Sequence, residues 1–322
     1  MTTTRPIILL LGPTAGGKTT VSIRLAELLP GGGECVSADS MQVYRGMDIG
    51  TATPDLPERR GIPHHMLDVA DPAAPWTVDD WLRGAEAAID DIRSREKWPI
   101  VVGGTNLYVQ ALLFGLVDGP EPDPELRAAL RGMPPEALRA ELQRRDPAAA
   151  NRIHPNDLRR TIRALEYARG TGEALSAAQI QWTEACRKDV VIVGLQWPTD
   201  LINRRINARV AAMMQDGLLA EVQALHERGS LGPQAAAAVG YAQILDHLEG
   251  RCTLDEAVEQ IKIKTRRLGK QQRTWLRRFQ VLPNLTWVDA PTMDPEPIAQ
   301  QSLTAALAWK ADGGGPEGQS EL

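Results

Sequence analysis

The apolar positions fall into two alternating rhythms over the first hundred residues. Ile7-Ile8-Leu9-Leu10-Leu11 is unbroken and closes on Gly12. Such a run predicts a buried parallel strand over residues 6–12. From residue 18 to 29 the period changes: Val21, Leu25 and Leu28 recur at helical spacing until Pro30-Gly31-Gly32-Gly33 ends the pattern. Cys35-Val36-Ser37-Ala38 predicts a weaker strand, with Asp39 and Ser40 at its end. Residues 81–98 read as a helix with Ala85, Ala88, Ile89 and Ile92 on one side. Pro99-Ile100-Val101-Val102-Gly103-Gly104 is a second clear strand entering a glycine turn. Strands alternating with helices predict a parallel α/β sheet.

The rhythm is lost near residue 115. Asp118-Gly119-Pro120-Glu121-Pro122-Asp123-Pro124 has the composition of a linker. Residues 125–188 read as helical, interrupted by Gly132, Pro134-Pro135, Pro147 and Pro155. Val190 to Leu195 returns to the sheet pattern, and residues 201–280 are mostly helical again. The expected architecture is an α/β P-loop core with a parallel sheet flanked by helices. Residues 1–117 and 189–310 build it, and 118–188 form a helical insertion. The glycine-rich residues 311–322 read as a disordered tail.

Composition narrows the class without changing this picture. With 322 residues, 43% hydrophobic and 24% charged, the chain is an ordinary globular one, which excludes wholesale disorder, collagen and disulfide scaffolds. Ile7 to Leu11 is far too short to span a bilayer. The opening residues lack the basic and apolar segments of a signal peptide. The expectation is a cytoplasmic protein with no membrane association. Cys35, Cys186 and Cys252 are scattered and suggest reduced thiols, not a zinc or redox motif. His64 and His65 have no third ligand at metal spacing, so hydrogen bonding suits them better. Trp197, Trp275 and Trp287 read as core or interface residues. The net charge of −5 conceals an uneven distribution: residues 152–170 carry +3, residues 262–278 carry +8, and the remainder carries −16. On a helix Lys262, Arg266, Lys270, Arg273 and Arg277 share one face. Ile261, Leu268 and Trp275, seven apart, are the expected core stripe of the same helix. The basic face suits either RNA phosphates or plain solvation among nearby acids.

Chemistry enters at Gly12-Pro13-Thr14-Ala15-Gly16-Gly17-Lys18-Thr19, which fits G-x-x-x-x-G-K-[ST] between a strand and a helix. Glycines let backbone N–H groups wrap phosphate oxygens, and the helix N-terminus adds a favourable dipole. Lys18 supplies a point charge, and Thr19 is placed to hold Mg2+. The motif specifies a diphosphate or triphosphate without saying whether it is a nucleotide. A phosphoryl-transfer enzyme should also end an apolar strand on an aspartate for magnesium. The best strand instead ends in Gly103-Gly104-Thr105. Asp39 is the early acid at a strand end, and spacing alone leaves it as metal ligand, general base or capping carboxylate.

Several blocks in register resemble the tRNA dimethylallyltransferase (tRNA isopentenyltransferase) family. They are the loop at 12–19; Ser37-Ala38-Asp39-Ser40-Met41-Gln42-Val43-Tyr44; Gly46-Met47-Asp48-Ile49-Gly50-Thr51-Ala52; and Pro63-His64-His65-Met66-Leu67-Asp68. Val102-Gly103-Gly104-Thr105-Asn106-Leu107-Tyr108, Ile153-His154-Pro155-Asn156-Asp157 and Arg163-Ala164-Leu165-Glu166 continue the order. Val239-Gly240-Tyr241 and Thr265-Arg266 with Lys270, Gln272 and Trp275 complete it. The resemblance implies transfer of a dimethylallyl group from dimethylallyl diphosphate to N6 of the tRNA adenosine on the 3′ side of the anticodon. It implies that the loop, Gly12 to Thr19, holds the donor diphosphate, with Thr14 and Lys18 on the leaving group and Mg2+ on Thr19. Asp39 is then the base that accepts the N6 proton, and the adenine must be flipped from its stack. By the same resemblance Asp39, Ser40, Met41, Gln42, Thr105, Arg127 and the stretch Arg159-Arg160-Thr161-Ile162-Arg163 contact tRNA, joined by Arg266, Lys270 and Arg273. A monomer without an obligate protein partner is implied as well. Thr53, Ala237 and Gln271 depart from the family pattern, each where a cation is common. Three other functions compete. Prenylation of free adenine nucleotides leaves the insertion and the basic helix without purpose. A small-molecule kinase lacks the strand-end acid. A non-catalytic RNA-binding protein would bind RNA regardless of Asp39.

Overall fold

The computed structural model describes residues 5–117, 119, 123–180, 187–282, 285–290 and 294–311. Six strands form one sheet: β1 (Ile7–Leu11), β2 (Gly33–Ala38), β3 (His64–His65), β4 (Trp98–Gly103), β5 (Val190–Gln196) and β6 (Leu285–Asp289). Their order is β3-β2-β4-β1-β5-β6, and every pairing is parallel. Ile7, Ile8, Leu9, Leu10 and Leu11 are all buried, as a central strand covered on both faces requires. Because the strands are parallel, their C-terminal ends share one edge, where ligands bind in open α/β sheets.

The sheet pattern expected from the sequence is present at β1, β2, β4 and β5. Two strands were not anticipated. β3 has two residues, too few to show a period. β6 is an edge strand with one buried position, so it lacks an apolar run. The helix expected over 81–98 occupies Val78–Ser94 instead, because Thr77 and Asp80 form a capping box that starts it earlier. Trp98 opens β4 opposite Gly33. A further helix, Pro295–Ala311, packs on the helix Lys18–Leu28 beside β5 and β6. Ala311 is thus helical, and residues 312–322 of the expected tail lie outside the described residues, as do Cys186 and most of the 118–124 linker.

The chain divides into two compact units, Met1–Gln110 with Lys188–Leu322, and Ala111–Arg187. The first boundary falls inside the helix Asn106–Phe114. The first unit contains the sheet, with Ile8, Leu10, Leu25, Ile100, Val193, Ile202 and Ile206 in its core. The second has helices and no strand among its described residues, packed around Leu130, Leu138, Leu142, Ala164 and Leu165. No helix among the described residues is long and apolar enough to cross a membrane.

Candidate active site

The loop after β1 is wound tightly by local chemistry. Gly16 N–H donates to the Pro13 carbonyl at 3.1 Å. Ala15 and Gly17 both adopt left-handed backbone, at φ 59° and 76°. Gly17 then immediately precedes the helix Lys18–Leu28, which has no side-chain cap. Its first N–H groups are thus left for a ligand, as anion sites at helix N-termini need. Lys18 Nζ donates to the carbonyls of Gly12 (3.1 Å) and Pro13 (2.9 Å). Burial pushes its pKa down to about 8; the nearby Arg209 adds to the fall, and Asp39 opposes it.

Asp39 follows β2. Its Oδ1 accepts from the Met41 N–H at 2.9 Å, which shapes the turn. Thr105, just beyond β4, accepts from the Ser40 N–H at 3.0 Å and reaches the Ser40 hydroxyl at 3.3 Å. Gln42 Nε2 donates to the carbonyls of Thr51 and Ala52, and its Oε1 accepts from the Ser37 hydroxyl. The sequence segment 39–42 is therefore held from three sides.

The glycines that end β4 have a steric reason. A Cβ on Gly103 would lie 2.3 Å from the Ala38 carbonyl oxygen, and one on Gly104 would lie 2.4 Å from Gln272 Nε2. Gln272, buried on the helix Leu254–Leu276, accepts from the Thr14 N–H at 2.7 Å and donates to the Gly104 carbonyl at 3.1 Å. It ties the phosphate loop to the end of β4, where a kinase-type aspartate is missing.

Two cations escaped the sequence reading. Arg205 and Arg209 lie one turn apart on the helix Thr199–Gln215. Arg205 Nε donates to the Ala15 carbonyl at 2.7 Å, and its guanidinium stacks 4.7 Å above the Trp197 ring. Desolvation lowers the pKa of the half-buried Arg209; Arg205 adds to this, while Glu58 and Asp39 oppose it. The available signal was their position: each directly precedes a buried residue, Ile206 and Val210. That borders the apolar face instead of opposing it.

The remaining expected residues divide between the two units. On Leu254–Leu276 the buried positions are Ala257, Ile261, Gly269, Gln272 and Leu276. Leu268 is 37% exposed, so the stripe of seven does not hold. A straight helix drifts about 20° per heptad, and steps of four and three follow the core better. Arg266 reaches Asn207 at 2.7 Å and Arg273 reaches Thr199 at 2.8 Å, while Lys270 and Arg277 are exposed. In the second unit Arg127 pairs with the buried Glu166, with which Arg163 also makes an ion pair, and Arg160 pairs with Asp157. Arg159 is exposed, whereas Thr161 is buried and Ile162 packs against the unit's core. His64 Nδ1 lies 2.8 Å from the Ile62 carbonyl and His65 Nε2 lies 2.8 Å from Glu34. No group of three or more His, Cys, Asp or Glu among the described residues is arranged to hold a metal.

Comparison with known proteins agrees with these features. The family described as IPP transferase matches residues 42–279. A tRNA dimethylallyltransferase of Geobacillus thermodenitrificans is 43% identical over 302 residues, 92% of this chain and 93% of the relative. One from Thermomicrobium roseum is 46% identical over 292 residues, covering 88% and 86%. The solved tRNA isopentenylpyrophosphate transferase of Bacillus halodurans superposes with a TM-score of 0.69 at 37% identity, over 95% of this chain and 99% of that one. A eukaryotic dimethylallyltransferase acting on tRNA superposes with a TM-score of 0.84 at 28% identity, over 98% and 81%. With a match spanning most of the chain and a sheet edge that joins a phosphate loop to Asp39, the chain belongs to the IPP transferase family.

Proposed function

We propose that this chain transfers the dimethylallyl group from dimethylallyl diphosphate to N6 of the adenosine 3′-adjacent to the anticodon in tRNA, releasing diphosphate. The observation that carries the reading is the pairing of the phosphate loop with Asp39 at one sheet edge, where Asp39 acts electrostatically on both Lys18 and Arg209. The N6 lone pair attacks C1 of the dimethylallyl group. The C1–O bond breaks, and its electrons leave on the diphosphate. Asp39 takes the N6 proton, a role that places base assistance beside a weak amine nucleophile. Lys18, Arg209 and the loop N–H groups meet the charge that develops on the leaving group. Arg205 holds the loop backbone through Ala15.

The residues present fit Mg2+. Thr19 offers a hydroxyl oxygen at the first turn of the phosphate helix. The absence of a carboxylate cluster among the described residues suits an ion carried largely by phosphate oxygens and water. When bound, Mg2+ supplies further charge neutralisation at the diphosphate. For the RNA, Ser40, Met41, Gln42 and Thr105 line the approach to Asp39. Arg266, Lys270 and Arg273 are proposed phosphate contacts, as is the second unit through Arg127, Arg159, Arg160 and Arg163. The free thiols Cys35 and Cys252 suit a reducing compartment, the cytoplasm.

The test is mass spectrometry of tRNA nucleosides after incubation with protein, Mg2+ and dimethylallyl diphosphate. Adenosine should gain a dimethylallyl group. Asp39→Ala should lower the rate about 10²- to 10⁴-fold while diphosphate binding persists. A wild-type protein that binds tRNA and leaves its adenosines unmodified would overturn the reading in favour of a binding role.

A further inference from the structure

Two sequence blocks, 46–52 and 239–241, contribute no group to the chemistry above, yet the structure joins them through one side chain. Glu221, on the helix Leu218–Glu227, accepts from three successive backbone N–H groups: Asp48 at 2.9 Å, Ile49 at 2.7 Å and Gly50 at 3.1 Å. Its Oε1 also accepts from the Tyr241 hydroxyl at 2.5 Å. Tyr241 is fully buried at the start of the helix Tyr241–Leu248. Its ring lies so close to Gly50 that a Cβ there would sit 2.4 Å from Cε2. Consecutive N–H groups converging on one anion form a nest, which favours a charged acceptor. A nest filled by a carboxylate from the same chain is a fastening, not a ligand site.

The fastened loop has a task nearby. Its own turns are closed by Ala52 N–H to the Ile49 carbonyl (3.1 Å) and Thr53 N–H to the Asp48 carbonyl (2.9 Å). That leaves the carbonyls of Thr51 and Ala52 facing Gln42 Nε2, at 3.3 and 3.0 Å. Both amide protons of Gln42 are thereby committed, and Ser37 supplies the hydrogen bond to Oε1 at 2.9 Å. The Ser37–Gln42 hydrogen bond spans the turn in which Asp39 accepts from the Met41 N–H. We infer that Glu221, seated by Tyr241, is a positioning residue for the transfer: it fixes the 48–52 loop, which orients Gln42 and with it the 39–42 segment that receives the adenine. The inference rests on the function proposed above.

The experiment measures tRNA and donor kinetics for wild type, Glu221→Ala, Glu221→Gln, Gln42→Ala and the Glu221→Ala/Gln42→Ala double variant. Wild-type turnover tests the functional reading alone, and without it that reading fails before the inference is engaged. With active wild type, Glu221→Ala should lower kcat/KM for tRNA about 10- to 100-fold, the scale of a small misplacement at a reacting centre. The KM for dimethylallyl diphosphate should stay within about twofold, because the phosphate loop is fastened separately by Gln272 and Arg205. The double variant should be no worse than the more damaging single one, since the two residues act in series. Glu221→Gln keeps the size of the side chain and removes the charge that the nest requires; it should show a smaller loss of the same kind. It replaces the alanine in the cycle if Glu221→Ala melts below assay temperature. Wild-type kinetics in the Glu221 variants, equal losses for donor and tRNA, or additive losses in the double variant would each overturn the inference.

Discussion

Lys18 shows what burial does to a cation proposed to meet a diphosphate. Its pKa of about 8, against an ordinary 10.5, means that the protonated form is disfavoured by desolvation and by Arg209. The unfolded chain holds this proton up to pH 10.5 and the folded one only to about 8, so the stability of the ligand-free protein gains from this group as pH rises across that window. Diphosphate binding has the opposite sign, because the anion favours the ammonium. Calorimetric titration with dimethylallyl diphosphate should find affinity level below pH 8 and falling by up to about tenfold per pH unit above it. Lys18→Arg, which keeps its charge throughout, should flatten that profile. Affinity unchanged up to pH 9.5 in the wild type would remove Lys18 from the diphosphate. Arg209, on the helix Thr199–Gln215, acts electrostatically on Lys18 and is a second proposed charge for the diphosphate.

Among the elements, the ends of β2 and β4 set the shape of the site. Their register brings Ala38 opposite Gly103, and the approach is too close for any side chain at 103. Gly103→Ala should therefore destabilise the protein by about 1–3 kcal/mol and spread Asp39 away from Thr105. Thermal melting checks the first effect, with Gly132→Ala as the control. Gly132 has right-handed backbone at φ −78°, and its nearest neighbour to an added Cβ is 3.5 Å away. An unchanged midpoint for Gly103→Ala would mean that the two strand ends part freely. The helix Leu254–Leu276 shows a related constraint. Thr253 and Glu256 cap its start, and around Gly269 it runs beside Ile206 and Thr14. Gln272 can then reach the loop, so a helix with a basic outer face also braces the phosphate site.

Across the whole molecule, charge is segregated. The 262–278 segment carries +8 in a chain of net −5. Lys270 and Arg277, two of its exposed cations, are open to solvent and so to an RNA backbone. Each phosphate neutralised releases counterions, so tRNA affinity should fall steeply with salt. Lys270→Gln and Arg277→Gln should each reduce the slope of log Kd against log salt by about 0.7–1, measured by filter binding or anisotropy. An unchanged slope in both variants would assign the face to solvent.

The sequence by itself determined the features that are contiguous in the chain. The phosphate loop needs eight successive residues, and Asp39 follows its strand directly, so both were legible. So were four of six strands, because an apolar run or a change of period is a local signal. What only the tertiary structure decided are the meetings of distant residues. Arg205 reaches a loop 190 positions earlier, and Arg209 acts electrostatically on its Lys18, from a helix whose arginines look like ordinary surface charges. Glu221 has no local signature, yet it fastens residues 48–50. The edge strand β6 exposes most of its positions, so its pattern carries little hydrophobic contrast. The stripe of seven on Leu254–Leu276 failed for a geometric reason: burial follows the surface the helix packs against, and the helices Thr199–Gln215 and Tyr241–Leu248 make that surface only once they are packed together.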